Sequence, residues 1–290
     1  MQRRQFLQFL PLTPLLSLSA CTPTEVRRSV DGVVAVRQGR LGEVVAAQVP
    51  STGIAEIDTI IRGKLAQLAD KIMQRWGDKV VATPKEFVKY SDAYQSRAII
   101  NFDTGLIRIE TIAEKEALSL LEQAIITTLL TPDDPEKVDL LSDKPVEMKG
   151  EPFLYGLVLD HQGKAIRGQW RARQYAKELL RTAYRQDKLN GKLHHYVELM
   201  MVKNYQGGQK NKYASQVTEQ SRRYRVSEAL IYAVIETESS FNPYAISSAP
   251  AYGLMQIVPT TAGRDAYQLI HGTAGTPSKD YLFLPANNIR

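Results

Sequence analysis

Apolar residues at Ile57, Ile61, Leu65, Leu68 and Ile72 are spaced by three and four, which lines one face of a helix. The pattern stops at Gly77, a residue type that ends helices. "RAIINFDTGLIRIETI" (97–112) then carries two β-rich runs around Asp103-Thr104-Gly105 and predicts a hairpin. A heavily apolar run over 113–130, closed by "TPDDP", predicts a second helix. "FLYGLVLD" (153–160) predicts a strand, followed by a helix with Ala172, Ala176, Leu179, Leu180 and Ala183 on one side. "HHYVELMMV" (194–202) predicts another strand. The polar segment "KNYQGGQKN" (203–211), with Gly207-Gly208, reads as a domain boundary, and beyond it the pattern is helical over 212–224 and 228–240. Helices and strands mix without an internal repeat, so the fold class is α+β. An N-terminal mixed α+β domain is expected over 22–203 and a mainly α-helical domain over 204–290.

Composition adds a globular chain of 290 residues, 43% apolar, with a net charge of +6. That charge favours an anionic environment such as nucleic acid, phospholipid headgroups or an acidic polymer. The first 21 residues, "MQRRQFLQFLPLTPLLSLSAC", narrow the choice. A basic start (Arg3, Arg4), an apolar middle over 6–18 and a small-residue end have the layout of an export signal. Pro11 and Pro14 and the short length argue against a buried or membrane-spanning helix. Leu18-Ser19-Ala20-Cys21 resembles the lipobox of bacterial lipoproteins, which implies Cys21 as lipid anchor and new N-terminus. Cys21 is the chain's one cysteine, which excludes an intrachain disulfide, a CxxC pair and a cysteine metal cluster. Thr22 stands where an Asp would retain a lipoprotein at the inner membrane. The expected location is therefore the periplasmic face of the outer membrane. Arg3-Arg4-Gln5-Phe6-Leu7 is also similar to a twin-arginine motif, which leaves the export route open.

Three features of the first domain invite chemistry. Asp103-Thr104-Gly105 has the residues of an aspartic-protease motif, but those enzymes pair two aspartates and this chain has one copy, so a tight turn is the expectation. The segment 167–192 interleaves eight cations, among them Arg167, Arg171 and Arg173, with Trp170, Tyr175 and Tyr184. This could be a nucleic-acid surface. In an exported chain a solvated helix face is expected instead, with contact to the cell wall or headgroups as an addition and no nucleic-acid partner. His194 and His195 point to opposite faces of a strand and make a poor chelating pair.

"LIYAVIETESSFNPYAISSAPAYGLMQIVPTTAG" (230–263) carries the main candidate. Ser227 reads as an N-cap with Glu228 in the first turn. Leu230, Ile231, Val234, Ile235 and Glu238 then fall along one face, while Glu236 points away as a surface residue. Glu238 is the expected last member of a buried stripe. A carboxyl group at the edge of an apolar core is penalised in its charged form, which suits a general acid. No further Asp or Glu occurs until Asp265.

Glu238-Ser239-Ser240-Phe241-Asn242-Pro243, Ala251-Tyr252-Gly253-Leu254-Met255-Gln256-Ile257 and Pro259-Thr260-Thr261-Ala262 resemble the catalytic core of the lytic murein transglycosylases of the soluble-enzyme type. The resemblance runs over about 226–289. The lipobox and domain order are similar to the membrane-bound lytic transglycosylase C branch. The resemblance implies a lysozyme-like helical fold, peptidoglycan as substrate, Glu238 as the single catalytic acid/base, and no metal or cofactor. It implies sugar contacts for Ser239, Ser247 and Gln256 and a groove-lining role for Met255, while Asn242 and Pro243 would shape the turn. Pro250 stands where a Gly is common and Val258 where a Met is common. The family also implies a further helix after "FLPANNIR" and a later tyrosine that positions the glutamate. A catalytic half incomplete at its C-terminus is therefore expected. Glycoside hydrolases ordinarily use two carboxylates; the family uses one, with the N-acetyl group stabilising the sugar cation and the MurNAc C6 hydroxyl attacking C1. Three readings stay open: this lyase, a hydrolytic muramidase on the same fold, and a non-catalytic peptidoglycan-binding lipoprotein. Oligomeric state is not legible.

Overall fold

The computed structural model describes residues 55–290, except 141 and 248–250. The signal, the lipobox with Cys21, and Pro250 lie outside the described residues. Helix α1 (Ala55–Trp76) ends at Gly77, whose φ of 71° is the left-handed conformation that closes a helix. Strands β1 (Glu86–Ser91), β2 (Ser96–Asn101) and β3 (Leu106–Thr111) form a meander, and helix α2 (Ala117–Leu129) follows. Helix α3 (Gln169–Thr182) precedes the hairpin of β4 (Arg185–Leu189) and β5 (Lys192–Met200). The sheet order is β1-β2-β3-β5-β4, with every neighbouring pair antiparallel. The α+β class expected of this domain is the one observed.

Alternation in the strands decides what each face buries. On one face Phe87, Ala98, Ile100, Ile107, Ile109, Val197 and Leu199 pack under α2 and α3, through Leu121, Ile125 and Leu129 of α2 and Ala172, Ala176 and Leu179 of α3. On the other, Val88 and Tyr90 meet Leu68, Ile72 and Trp76 of α1. Two expectations fail in this domain. Residues 153–160 form turns joined by isolated bridges in place of a strand, because Gly156 (φ 78°) turns the chain back on itself. The basic segment 167–192 is a helix only to Thr182; Asn190-Gly191, both at positive φ, then turn a hairpin.

His194 and His195 do occupy opposite faces, and both have local roles. His195 Nδ1 lies 2.7 Å from the Tyr184 hydroxyl. His194 is fully buried, edge-on to Trp76 (centroids 5.3 Å apart), with Nδ1 3.1 Å from Glu110 Oε2. Glu110, itself 1% exposed, also accepts from Arg97 Nε at 2.6 Å and Arg108 Nε at 3.0 Å. Burial alone would raise the Glu110 carboxyl; the charges of Arg97, then Arg108, outweigh it and hold it below its usual range. Glu110→Gln removes the buried charged partner of Arg97, which keeps Asp78, and of Arg108, which keeps Asp187 and Glu198, and is expected to destabilise the fold by about 2 kcal/mol at pH 7. Because the folded value is depressed, the ionised carboxylate contributes above the ordinary value of 4.5 and is lost as pH falls through the folded one. Urea midpoints of wild type and variant should therefore converge below about pH 4.5. A gap that is unchanged at low pH would refute the assignment.

The segment 203–211, read as a domain boundary, forms helix α4 (Tyr205–Lys212). Helices α5 (Ala214–Tyr224) and α6 (Glu228–Ser239) pack against each other, and α7 (Arg264–His271), α8 (Lys279–Phe283) and α9 (Pro285–Asn288) complete the described chain. Tyr213, Val217, Ile231, Ile235, Phe241, Leu254 and Ile289 form its core. No described helix is long and apolar enough to cross a membrane.

Candidate active site

Helix α6 is capped as its sequence predicts: the Ser227 hydroxyl accepts from Leu230 N at 3.2 Å, and Glu228 sits in the first turn. The buried face differs from the expected one. Ile231, Ile235 and Ser239 are buried, at i, i+4 and i+8; Leu230 is 56% exposed and Glu238 is exposed. Tyr213 and Val217 of the α4–α5 side draw the 231/235/239 line inward, which rotates Glu238 to the margin of the stripe. The expected desolvation of Glu238 by the chain's own core is therefore absent. Glu236 is the surface residue anticipated, paired with Lys210 at 3.1 Å. The Glu238 carboxyl, by contrast, enters no hydrogen bond or ion pair among the described residues.

The segment after Glu238 is held by tertiary contacts. Ser239, expected at the sugar, is fully buried; its hydroxyl lies 3.0 Å from Ile235 O and 2.7 Å from Leu254 O, tying the helix end to the 251–257 loop. In this structure it is an internal tie and touches no open surface. Ser240 and Phe241 both take positive φ (49° and 65°), an uncommon conformation for residues with a Cβ. Asn242 Oδ1 accepts from Tyr244 N at 3.0 Å, the turn-shaping role expected of it, and its Nδ2 donates to Pro84 O at 3.0 Å. Tyr244 is buried in the first domain's core beside Phe87 and Phe153, and its hydroxyl donates to Pro132 O. Burial raises that phenol well above its usual value and keeps it a donor.

The 251–257 loop turns on Gly253 (φ 73°) and is gripped by Asn288. Asn288 Nδ2 donates to Tyr252 O (2.8 Å) and Leu282 O (2.7 Å), and its Oδ1 accepts from Met255 N (2.6 Å). This lock fixes the backbone of Met255 and Gln256. Met255 and Ser247 are half-buried, Ser247 Oγ accepting from Ala251 N at 3.2 Å. Gln256 (φ 47°) folds back, its Nε2 donating to Gly253 O at 2.9 Å. Val258 holds the next turn through its carbonyl, which accepts from Gly263 N at 2.9 Å. The structure thus links Ser239 to the loop that carries Met255 and Gln256, with Glu238 the residue before Ser239. Asn288 carried no sequence signal, because a lone Asn 36 residues from its partner shows no pattern.

Among the described residues no group of three or more His, Cys, Asp or Glu could hold a metal ion. A cavity opens elsewhere, between β1, β2 and α2, lined among others by Lys89, Thr127, Asp143 and Met148; none of the expected site residues contributes to it. Burial pushes the Lys89 amine down to about 8 against the pull of Asp139 and Asp143, and its Nζ donates to Ser142 O at 2.6 Å.

Two family matches cover the described chain. Residues 55–212 match the N-terminal domain of membrane-bound lytic murein transglycosylase C, and residues 215–290 match the transglycosylase SLT domain. A membrane-bound lytic murein transglycosylase C from Yersinia enterocolitica is 47% identical over 230 residues, and one from Klebsiella pneumoniae strain 342 is 46% identical over 228. A third, from Serratia proteamaculans, is also 46% identical over 228. Each alignment takes in 78% of this chain and 63% of the relative, so the chain spans less than two thirds of these relatives' length. With its sheet-bearing first domain matched over 55–212 and its helical domain over 215–290, the chain belongs to the membrane-bound lytic murein transglycosylase C family.

Proposed function

We propose that the chain cleaves the β-1,4 bond between MurNAc and GlcNAc of peptidoglycan without water, leaving 1,6-anhydroMurNAc ends, with Glu238 as the single acid and base. The observation that carries this reading is Glu238 itself: an exposed, uncommitted carboxylate in the last turn of α6, with no other acidic residue from 239 to 264. Glu238 would protonate the bridging oxygen as the C1–O bond breaks, and the substrate's N-acetyl carbonyl would stabilise C1. The carboxylate would then take the proton of the C6 hydroxyl as its oxygen bonds to C1. Atoms balance with no water consumed and one proton moved from O6 to the leaving oxygen. Since the chain's core leaves Glu238 exposed, the dry surroundings that favour a protonated carboxyl would come from the seated glycan. Met255 would line the groove, with Ser247 and Gln256 meeting the sugar once Gln256 swings outward from Gly253. Ser239 would support from beneath.

Mass spectrometry of fragments released from purified sacculi tests this directly. Fragments one water lighter than hydrolytic products are expected. Hydrated fragments would establish the muramidase instead, and binding without any release would establish a non-catalytic wall protein. We also assign lipid anchoring at Cys21 on the periplasmic face of the outer membrane; Cys21→Ser should move the chain into the soluble fraction, and unchanged membrane association would refute the anchor.

A further inference from the structure

We propose that the Asp103 turn of the first domain positions the loop behind Glu238, with Asp103 as a positioning residue. The proposal rests on the assignment of Glu238 as the acid/base. The turn that resembled a protease motif is a rigid four-residue connection between β2 and β3. Asn101 Oδ1 accepts from Asp103 N (3.0 Å) and Thr104 N (2.9 Å), and Asn101 O accepts from Gly105 N (2.9 Å). Gly105 takes φ 74°, and a Cβ there would meet the Tyr205 ring at 3.0 Å. The Tyr205 hydroxyl donates to Asp103 O at 2.6 Å, which fixes the turn against α4.

From this platform the Asp103 carboxylate reaches across the domains. Its Oδ1 accepts from the Ser240 hydroxyl and lies 3.2 Å from Lys85 Nζ. Ser240 is the C-cap of α6, two residues beyond Glu238. It opens the Ser240-Phe241 pair of positive-φ residues, a conformation that costs of order 1 kcal/mol per residue unless tertiary contacts hold it. Asp103 supplies the first such contact, and Asn242 to Pro84 and Tyr244 to Pro132 supply the next two. Three alternate residues of the loop are thus pinned to three separate points of the first domain. Without the first pin the last turn of α6 frays, and that turn carries Glu238. A misplacement of about 1 Å in a reacting group can cost about 100-fold in rate. Asp103 is also a carboxylate that the fold brings to this loop from outside it, so its role must be separated from acid–base chemistry.

The test compares Asp103→Ala and Asp103→Asn in the full chain, by turnover on sacculi and by hydrogen exchange over 236–246. Asp103→Ala should lower kcat about tenfold with KM changed by less than about twofold, the signature of a group acting on the reacting geometry and not on binding. Asp103→Asn keeps an acceptor for Ser240 and should restore kcat to within about threefold of wild type with the same lyase products. Exchange over 236–246 should quicken in the Ala variant and stay wild-type-like in the Asn variant. Asp103→Asn as impaired as Asp103→Ala would overturn positioning in favour of a charge-dependent role; an Ala variant with unchanged kcat and exchange would also overturn it. Should wild type release no fragments, the lyase assignment fails by itself, and the exchange comparison alone decides whether Asp103 holds the loop.

Discussion

Glu238→Gln is expected to lower the rate of anhydro-fragment release by about 10²–10⁴-fold, with folding untouched. Glutamine keeps the shape of the side chain and has no proton to give the leaving oxygen and no base to take one from C6. Because one residue would serve both half-reactions, no second group can rescue either. The structure makes this substitution unusually clean. Glu238 is exposed and pairs with no described residue, so its replacement removes no internal contact, and stability should stay within about 0.5 kcal/mol of wild type. Glu236→Gln is the matched control, since Glu236 is spent on Lys210 at the surface; it should leave turnover within about twofold, as surface substitutions ordinarily do. The measurement is fragment release from sacculi by the three proteins at equal concentration. Turnover retained by Glu238→Gln would remove the residue from the chemistry, however well the loop around it is built.

Much of the first domain was readable because its signals are local. The i, i+4 stripe of α1 with its terminal Gly77, the alternation through 97–112, and the Ala172/Ala176/Leu179 face of α3 each lie within one element, where periodicity reports burial. The 153–160 segment misled because a short apolar run looks the same whether it is paired as a strand or folded into turns over a core. The 203–211 segment, read as a domain boundary, forms α4 from polar residues and glycines, a helix that its propensity does not favour. For the candidate site, the sequence singles out Glu238 and its loop, and the burial expected of that carboxyl is not the one observed. Five helical positions are compatible with two stripes some tens of degrees apart, and only the contacts with Tyr213 and Val217 choose between them. Asp103 was legible as a turn residue but not as a partner of Ser240, and Asn288 was not legible at all. Their partners lie 137 and 36 residues away, a separation over which single residues leave no pattern.

Gly253→Ala is expected to destabilise the helical domain by about 3 kcal/mol and to silence turnover with it. The added methyl would sit 2.5 Å from Asn288 Nδ2 and 2.6 Å from Leu282 O, and the residue would also have to hold φ near +73°. The clash with Asn288 is relieved only if Asn288 lets go, and the Leu282 carbonyl, being backbone, yields only if the chain around it shifts. Letting go takes the Asn288 bond from Met255 N, Tyr252 O and Leu282 O together, of which Tyr252 O keeps Ile257 N as a second donor. Each such group left unpaired costs about 1–3 kcal/mol, which is why Asn288→Ala should be nearly as harmful as Gly253→Ala. The two substitutions break one lock, and Asn288→Ala also removes one of the two clashes. Their costs should therefore fall short of additive, the double variant being more stable than the sum predicts by at least about 1 kcal/mol. Urea midpoints of the two single variants and the double one, read as a cycle, decide this. Additive costs would mean that Gly253 and Asn288 act separately, and a wild-type midpoint for Gly253→Ala would mean that the loop carrying Met255 and Gln256 is not locked in this way.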